Sequence, residues 1–466
     1  MSLLRSKIVQ KPYQWFHYYF LSEKYPGCQL SDLSFETDIG ITITKLRQHK
    51  WTIQEIVHYS FVSSVIFFVF LIFPASFFIK IPILAVFITC FLVPLTSQFF
   101  IHALPIFSWL ALFFSAGKIP VSWKPAISVK VLPATETIFY GDNLSNVLAT
   151  FNTTLLDLIA WLPYGIIHFS APFVVALLIF LLGPPTGLQS FGFAFGYMNL
   201  LGVMTQILFP AAPPWYKLSH GLEPANYSMS GSPGGLARID AILGVDMYTS
   251  NFSNAPVVFG AFPSLHSGMS VMDALFLCWL FPKYKVVWWA YAVWLWWSTM
   301  YLTHHYFIDL IGGAVLSYVV FTYSKYTHLP IMDPTKFCRW SYTEIHKVDV
   351  RLSDPLSINF NEDTENTLRP YSFVPASDNI ELAPMTRSRQ QSRSLVPTLQ
   401  SNSTAKSSSS INLAIAEETH DTEVLDSSSL EYSAAPSVFD EEQHQSLTAS
   451  TTSLDDELAS RSYKDK

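Results

Sequence analysis

The sequence predicts an all-α membrane protein, a bundle of six to eight transmembrane helices followed by a disordered C-terminal tail. Half of its 466 residues are apolar and only 14% are charged, whereas an ordinary soluble domain carries about 25% charged residues. Lys80 is the only charged residue between Glu55 and Lys118, and none lies between Asp157 and Lys217. Uncharged runs of this length hold several spans, because one membrane helix needs roughly 20 apolar residues.

Composition divides the chain into three predicted regions. Residues 1–55 carry seven Lys and Arg before the first span, so the positive-inside tendency places this segment in the cytosol. Residues 56–330 hold the apolar segments and form the membrane-embedded domain. From 331 to 466 the composition changes to Ser, Thr, Glu, Asp and Pro. Such a segment cannot bury a core, and we expect a disordered cytosolic tail.

The apolar segments predict the spans in order. The first three are expected near 57–79, 82–96 and 99–116, and the second is short enough to be re-entrant. After a mixed loop at 117–157, two spans are expected at 158–182 and 188–209, then a long loop at 210–262, a hairpin of two spans at 267–282 and 286–303, and a last span at 306–324. The total is eight spans, or six if 82–116 never fully crosses.

The charges in the loops predict which side of the membrane each loop faces. Lys283 and Lys285 in the hairpin turn and Lys325 after the last span favour the cytosol. The open end of the hairpin and the loops 117–157 and 210–262 then face the lumen. Three lysines in loop 117–157 argue for the opposite side, but this loop must share a side with the hairpin ends. Four glycosylation sequons lie in these two loops, as a lumenal placement allows, at Asn143, Asn152, Asn226 and Asn251.

Three ionisable side chains are predicted to meet at the lumenal face. His266 precedes the first span of the hairpin, and His305 follows the second span, 39 positions later. The hairpin therefore returns both histidines to one side of the membrane. Asp309 follows His305 by four residues, so on a helix the two side chains share a face. Two histidines and a carboxylate can supply an acid, a nucleophile and a group that orients the nucleophile.

Two segments carry a resemblance to a known superfamily. Pro263-Ser264-Leu265-His266 resembles the second signature of the type 2 phosphatidic acid phosphatase (PAP2) superfamily. Residues 298–309 resemble its third signature, with His305 and Asp309 at the expected spacing. Leu265 replaces the usual glycine, and Thr299 stands where a phosphate-binding arginine is expected. The first signature, Lys-x6-Arg-Pro, is absent in that form.

Four motifs together closely resemble one family within that superfamily, the aureobasidin A-sensitive inositol phosphorylceramide synthases of fungi. They are FPAAPPWY at 209–216, SPGGLARID at 232–240, GAFPSLHS at 260–267 and YLTHHYFID at 301–309. The resemblance covers about residues 50–330 and implies a PAP2-type helix bundle. It also implies an enzyme of the Golgi membrane, with both termini cytosolic and the active site facing the lumen.

The resemblance implies a reaction of sphingolipid biosynthesis. Phosphoinositol would pass from phosphatidylinositol to the primary hydroxyl of ceramide, with release of diacylglycerol. His305 would attack phosphorus, and Asp309 would hold its imidazole in the reactive tautomer. His266 would protonate the leaving oxygen and later accept the ceramide proton. The partners expected are these two lipids, the bilayer and a small regulatory membrane subunit, with no cofactor, no metal and no nucleic acid.

Further polar residues are predicted to bind substrate. Backbone N–H groups at Ser264 and Leu265, at the start of a helix, suit a phosphate oxygen. Because Thr299 replaces the arginine, the positive charge must come from elsewhere, with Arg238 the first candidate and Lys217 the second. Asp273, two turns below His266, is expected to support that histidine or to contact a polar part of the substrate, because intramembrane carboxylates are costly and usually functional.

Two other functions are compatible with parts of the pattern. A lipid phosphate phosphatase of the same superfamily would use water as the acceptor. Leu265, Thr299 and the missing first signature argue against it, because a phosphomonoester dianion favours a cationic clamp. A membrane transporter or scaffold would also bury polar residues. The ionisable residues cluster at one face instead of lining a path through the bilayer, which argues against that reading.

Overall fold

A computed structural model describes residues 7–345 of the chain. Within this range the chain is helical, and its extended pairings are isolated bridges that join Ser128 to Ala211 and Ala211 to Gly260. The predicted all-α class is therefore confirmed. The part of the predicted tail that runs from 346 to 466 lies outside the described residues.

The helices follow the apolar segments of the sequence and add short helices in the loops. The first half comprises α1 (Lys7–Tyr19), α2 (Ile39–Gln48), α3 (Ile53–Ile72), α4 (Phe77–Leu92), α5 (Pro94–Phe100), α6 (Leu104–Ser115), α7 (Val131–Tyr140), α8 (Leu144–Ala149) and α9 (Thr154–Trp161). A π-helical turn, Leu162–Ile167, joins α9 to α10 (His168–Leu182). The rest comprises α11 (Gly187–Leu208), α12 (Pro214–His220), α13 (Leu236–Leu243), α14 (Tyr248–Ser253), α15 (Leu265–Leu280), α16 (Lys285–Tyr301) and α17 (Phe307–Thr327).

Within residues 7–345, four helical segments are long and apolar enough to cross a membrane, namely Ile53–Ile72, Thr154–Leu182, Gly187–Leu208 and Phe307–Thr327. The pair α4 and α5 also passes as one span but is bent by 97°. Pro94 explains the bend, because the residue before a proline is driven out of the helical region. The chain is thus a multi-span membrane protein. The count of six to eight spans stays a prediction, because Leu104–Lys118 and Leu265–Leu280 are shorter apolar helices.

The close approach of α15 and α17 determines where the site forms. A Cβ atom at Gly313 would collide with the carbonyl oxygen of Ser264, so the two backbones touch there. Ser317 Oγ donates to the Gly268 carbonyl oxygen at 2.5 Å. Small residues commonly allow such contact between membrane helices. Because the helices meet near their N-terminal ends, the first turn of α15 lies beside the first turn of α17.

The folded region extends beyond residue 330, where composition placed the start of the tail. Cys338 and Trp340 are buried against Phe20, which follows α1. The Arg339 guanidinium lies 4.2 Å above the ring of Phe180 in α10. Residues 331–345 therefore pack on the bundle, through apolar side chains that include Phe337, Cys338 and Trp340.

Candidate active site

The start of α15 is fixed by two hydrogen bonds of Ser264. Its hydroxyl accepts from the Ser267 N–H at 3.3 Å and so caps the helix. Its own N–H donates to the carbonyl oxygen of Asp309 at 2.9 Å. The second bond ties the residues just before His266 directly to the first turn of α17, which carries Asp309.

A short turn between α16 and α17, residues 302–306, presents His305. Thr303 has a φ of 64°, which is unusual for a β-branched residue because its Cβ crowds the backbone there. The turn is held from both sides. Trp215 N–H donates to the Thr303 carbonyl oxygen at 3.0 Å, and His304 N–H donates to that of Thr299 at 2.9 Å. Strained positions of this kind persist where the surrounding structure over-determines them.

The two histidines and the aspartate form a continuous hydrogen-bonded chain. His305 Nδ1 lies 2.9 Å from Asp309 Oδ2 and donates to it, because a carboxylate can only accept. Nε2 of His305 therefore carries the lone pair, and it lies 3.0 Å from Nδ1 of His266. Asp309 Oδ2 also accepts from the Tyr306 N–H at 3.1 Å. Burial lowers the pKa of His305 to about 3, so its ring is neutral at pH 7, as a nucleophile requires.

Aromatic side chains enclose this chain. Tyr164 stacks on His266, with ring centroids 4.7 Å apart, and on His304 at 5.3 Å. His168 covers His266 as well, at 4.7 Å. Tyr164 belongs to the π-helical turn Leu162–Ile167, a type of turn that is frequent at functional sites. The enclosure restricts how the His266 ring can rotate.

Arg238, the first candidate for phosphate binding, lies beside the turn 302–306 but already has a partner. Its guanidinium donates from Nη2 to Asp157 Oδ1 at 2.7 Å, and the Tyr301 hydroxyl donates to the same oxygen at 2.9 Å. The hydrogen bond with Asp157 raises the pKa of Arg238. Asp157 is nearly fully buried, whereas 35% of the Arg238 side chain is exposed. Arg238 is thus anchored on one side and accessible on the other.

Lys217 is the second candidate for phosphate binding. Its Nζ donates a hydrogen bond to Asn143 Oδ1. Asn143 is fully buried, and its amide donates to the Pro133 carbonyl oxygen at 3.0 Å. Asn143 belongs to one of the four sequons in the predicted lumenal loops, and its burial argues against glycosylation there, because a glycan would displace buried contacts. Asn152, Asn226 and Asn251 are exposed.

The other polar positions predicted to bind substrate differ in whether their donors and acceptors are already paired. The N–H of Ser264 already donates to Asp309, so of the two predicted backbone donors that of Leu265 remains for a phosphate oxygen. The side chain of Leu265 packs against Gly202 in α11.

Thr299 is buried, and its hydroxyl donates to the Trp296 carbonyl oxygen at 2.8 Å. Asp273 is buried two helical turns below His266 and is not brought to it; its Oδ1 has no hydrogen-bond partner among the described residues.

Three further residues shape the site and are not predicted by any motif of the sequence: Asp157, Tyr164 and Glu136. Asp157 borders a long run without charged residues, which is a signal that could have drawn attention to it. Tyr164 lies in an apolar span, and Glu136 lies in a loop that also contains other charged residues, so spacing alone does not single out either. Among residues 7–345 no group of three or more His, Cys, Asp and Glu side chains is arranged to hold a metal ion.

The sequence of the chain is similar to those of known proteins. The pattern of the PAP2 superfamily matches residues 132–323, which include both histidines and Asp309. An inositol phosphorylceramide synthase of Candida albicans is 60% identical over 98% of this chain and 98% of its own length. The chain belongs to the inositol phosphorylceramide synthase family.

Two further relatives in this family carry the same activity in their names. The inositol phosphorylceramide synthase catalytic subunit of Saccharomyces cerevisiae is 54% identical over 74% of this chain and 86% of its own. That of Schizosaccharomyces pombe is 41% identical over 78% and 89%. No solved structure matches the chain.

Proposed function

We propose that this protein transfers phosphoinositol from phosphatidylinositol to the primary hydroxyl of ceramide, through a phosphohistidine on His305. The observation that carries the proposal is the hydrogen-bonded chain from Asp309 through His305 to His266. It contains an oriented nucleophile and a proton carrier at one point of the lumenal face. The family relationship supplies the substrates, because the relatives are named inositol phosphorylceramide synthases.

In the first half-reaction, Nε2 of His305 forms a bond to phosphorus and the bond from phosphorus to the diacylglycerol oxygen breaks. A proton from His266 reaches that oxygen, so neutral diacylglycerol departs. The imidazole of His305 gains positive charge as it attacks, and Asp309 stabilises that charge through Nδ1–H. Splitting the transfer through a covalent intermediate helps because a phosphodiester is a poor electrophile.

In the second half-reaction, the primary hydroxyl of ceramide attacks the phosphohistidine. His266, which gave up a proton in the first step, accepts the hydroxyl proton, and the bond between phosphorus and Nε2 breaks. Inositol phosphorylceramide leaves, and both histidines return to their starting protonation states. Proton donor and acceptor are thus the same residue, whose Nδ1 already faces the nucleophilic nitrogen of His305.

The negative charge on phosphate requires positive partners. We assign this role first to Arg238, because its outer face is accessible while Asp157 holds its inner face. A guanidinium suits phosphate, since its planar N–H groups can bond two oxygens together. Lys217 and the N–H of Leu265 are secondary candidates. Asp273 remains a candidate for contact with a polar part of a substrate, because it is buried with an unpartnered oxygen.

Location and assembly belong to the same proposal. We place the enzyme in the Golgi membrane with the catalytic histidines at the lumenal face and both termini in the cytosol, in agreement with the lysines of the hairpin turn. We also propose a small regulatory membrane subunit. The Saccharomyces cerevisiae relative is named a catalytic subunit, which supports such a partner.

The reaction is tested with membranes that contain the protein and phosphatidylinositol labelled in its inositol ring. With ceramide present, chromatography should show labelled inositol phosphorylceramide and an equal amount of diacylglycerol. Without ceramide, little label should leave phosphatidylinositol. Steady release of labelled inositol phosphate without ceramide would instead identify water as the acceptor and favour a phosphatase.

A further inference from the structure

A carboxyl group outside the catalytic chain reaches the helix that carries Asp309. Glu136 lies in α7, a helix of the loop 117–157, and its side chain is fully buried. Its Oε1 accepts a hydrogen bond of 2.5 Å from the backbone N–H of Phe307, the first residue of α17. The two residues are 171 positions apart in the chain, so the contact is a tertiary one and not a local cap.

The position of that N–H gives the contact its importance. The first N–H groups of a helix lack partners within the helix and need an acceptor from outside. At α17, Asp309 supplies the acceptor for Tyr306 and Glu136 supplies it for Phe307. These two amides directly follow His305 in the chain. The peptide units that connect the nucleophile to its orienting aspartate are thus held by two carboxyl groups.

Several contacts fix Glu136 and its target relative to the bundle. Leu132, one turn before Glu136, is buried with Ala261 and Tyr306 in a small apolar cluster. The ring of Phe307 meets that of Tyr140 at 5.5 Å and that of Trp296 at 5.9 Å. Helix α7 therefore touches the residues that border both histidine motifs.

We propose that Glu136 is a positioning residue for the nucleophile, which acts by holding the Phe307 N–H and so fixing the turn that aims His305 at phosphorus. The inference rests on the proposed function in that His305 is taken as the nucleophile. Glu136 itself touches neither histidine. Its effect on the reaction passes through Phe307 and the first turn of α17.

The proposal is tested in the full-length enzyme with two substitutions at one position. Glu136→Gln keeps an oxygen that can accept from the Phe307 N–H, whereas Glu136→Ala removes the acceptor. We expect Glu136→Ala to lower kcat per folded enzyme by roughly 10- to 100-fold, because a small misplacement of a reacting group can cost about two orders of magnitude. The KM for phosphatidylinositol should change little. Glu136→Gln should restore most of the lost kcat.

A matched control removes a carboxylate elsewhere in a predicted lumenal loop. Asp246 is exposed, and Asp246→Asn should leave kcat and KM unchanged. The activities of wild type and of this control also separate the proposed transfer reaction from the positioning role of Glu136. If neither makes inositol phosphorylceramide, the proposed function fails, whereas if both do and Glu136→Ala equals them, the positioning role fails. A Gln variant as impaired as the Ala variant would also overturn the positioning role, because charge and not the hydrogen bond would then be required.

A second measurement does not depend on turnover. Hydrogen exchange of the Phe307 amide, followed by mass spectrometry in detergent, reports whether the N–H is held. Exchange should be slow in wild type and in Glu136→Gln and at least tenfold faster in Glu136→Ala, since a freed helix-terminal amide opens more readily. Equal exchange in all three proteins would overturn the inference. If Glu136→Ala does not fold, Glu136→Asp, whose side chain is one methylene shorter, serves in its place with the same expected direction.

Discussion

Nδ1 of His266 lies 3.0 Å from Nε2 of His305, and Nδ1 of His305 lies 2.9 Å from Asp309. The three side chains to which we assign the proton carrier, the nucleophile and the orienting carboxylate are therefore in direct contact, and all three are largely shielded from water. A phosphorus atom that bonds to Nε2 of His305 must replace the hydrogen bond between the two histidines. Nδ1 of His266 then faces the substrate, and this nitrogen must exchange a proton with the substrate.

The bond from His305 to Asp309 predicts a large effect of Asp309→Asn. An asparagine amide can turn its N–H towards Nδ1 and favour the wrong tautomer, in which Nε2 carries the proton. We expect kcat to fall by about three to four orders of magnitude, as in other enzymes whose orienting aspartate is replaced. The transfer assay measures this fall, with Asp246→Asn as the control. A decrease of less than tenfold would show that Asp309 does not orient the nucleophile.

Arg238 is predicted to act on the phosphate of phosphatidylinositol. Arg238→Ala should lower kcat/KM by about a hundredfold, since one charge-assisted contact to a developing oxyanion is worth roughly 3 kcal/mol. Arg238→Lys should recover only part, because an ammonium lacks the planar pair of donors that also holds Asp157. Steady-state kinetics with varied phosphatidylinositol measures both. Wild-type kcat/KM in Arg238→Ala would remove this residue from the substrate site.

The stacking of Tyr164 predicts that its ring matters more than its hydroxyl. Tyr164→Phe keeps the ring beside His266 and should keep most of kcat. Tyr164→Leu loses the ring, lets the imidazole rotate, and should lower kcat by about tenfold, the equivalent of roughly 1.4 kcal/mol. Both variants are compared in the transfer assay. Equal loss in the two would mean that the hydroxyl, not the stacking, is required.

Glu136 predicts a pH dependence of stability. Burial raises the pKa of its carboxyl to about 7, from 4.5 in an exposed chain. The charged and titratable groups around it are Asp309 on α17, Lys217 on α12 and Tyr306. Because the folded state holds this proton more tightly, the group favours folding at low pH, and that contribution is lost as the pH rises from about 4.5 through 7.

The melting temperature in detergent checks this sign. It should fall between about pH 5 and about pH 8 in wild type and change less over that range in Glu136→Gln, which cannot ionise. The same slope in both proteins would assign the titration to another group. The Asp246→Asn variant should retain the wild-type slope.

The sequence predicted the helix bundle and both histidine motifs because membrane spans and short motifs depend on local patterns. Long uncharged runs identified the spans, and the spacing of His305 and Asp309 predicted their shared face. The hairpin predicted that His305 would return to the side of the membrane where His266 lies, and the hydrogen bond between the two histidines agrees with this prediction.

Local sequence patterns could not predict contacts between segments that are distant in the chain. The pairing of Arg238 with Asp157 joins residues 81 positions apart, and the bond from Glu136 to Phe307 joins residues that are still more distant. Asn143 is likewise buried where it contacts Lys217, which lies in another loop. A sequon pattern cannot reveal that its asparagine is enclosed. These features follow from how the loops pack on the bundle, which no single segment encodes.

Substitution of the two histidines should affect the phosphohistidine intermediate in different ways. With an inositol phosphate ester whose leaving group needs no proton, His266→Ala can still form the phosphohistidine. It should then resolve the intermediate slowly, because the deprotonation of ceramide is impaired. His305→Ala has no nucleophile and should form no phosphoenzyme with any substrate.

The most direct test is to trap the labelled enzyme at alkaline pH, where phosphohistidine is stable, and to locate the label by mass spectrometry. We expect an acid-labile, base-stable label on His305 that accumulates in His266→Ala and is absent from His305→Ala. Label in His305→Ala, or label on any other residue, would contradict the assignment of His305 as the nucleophile.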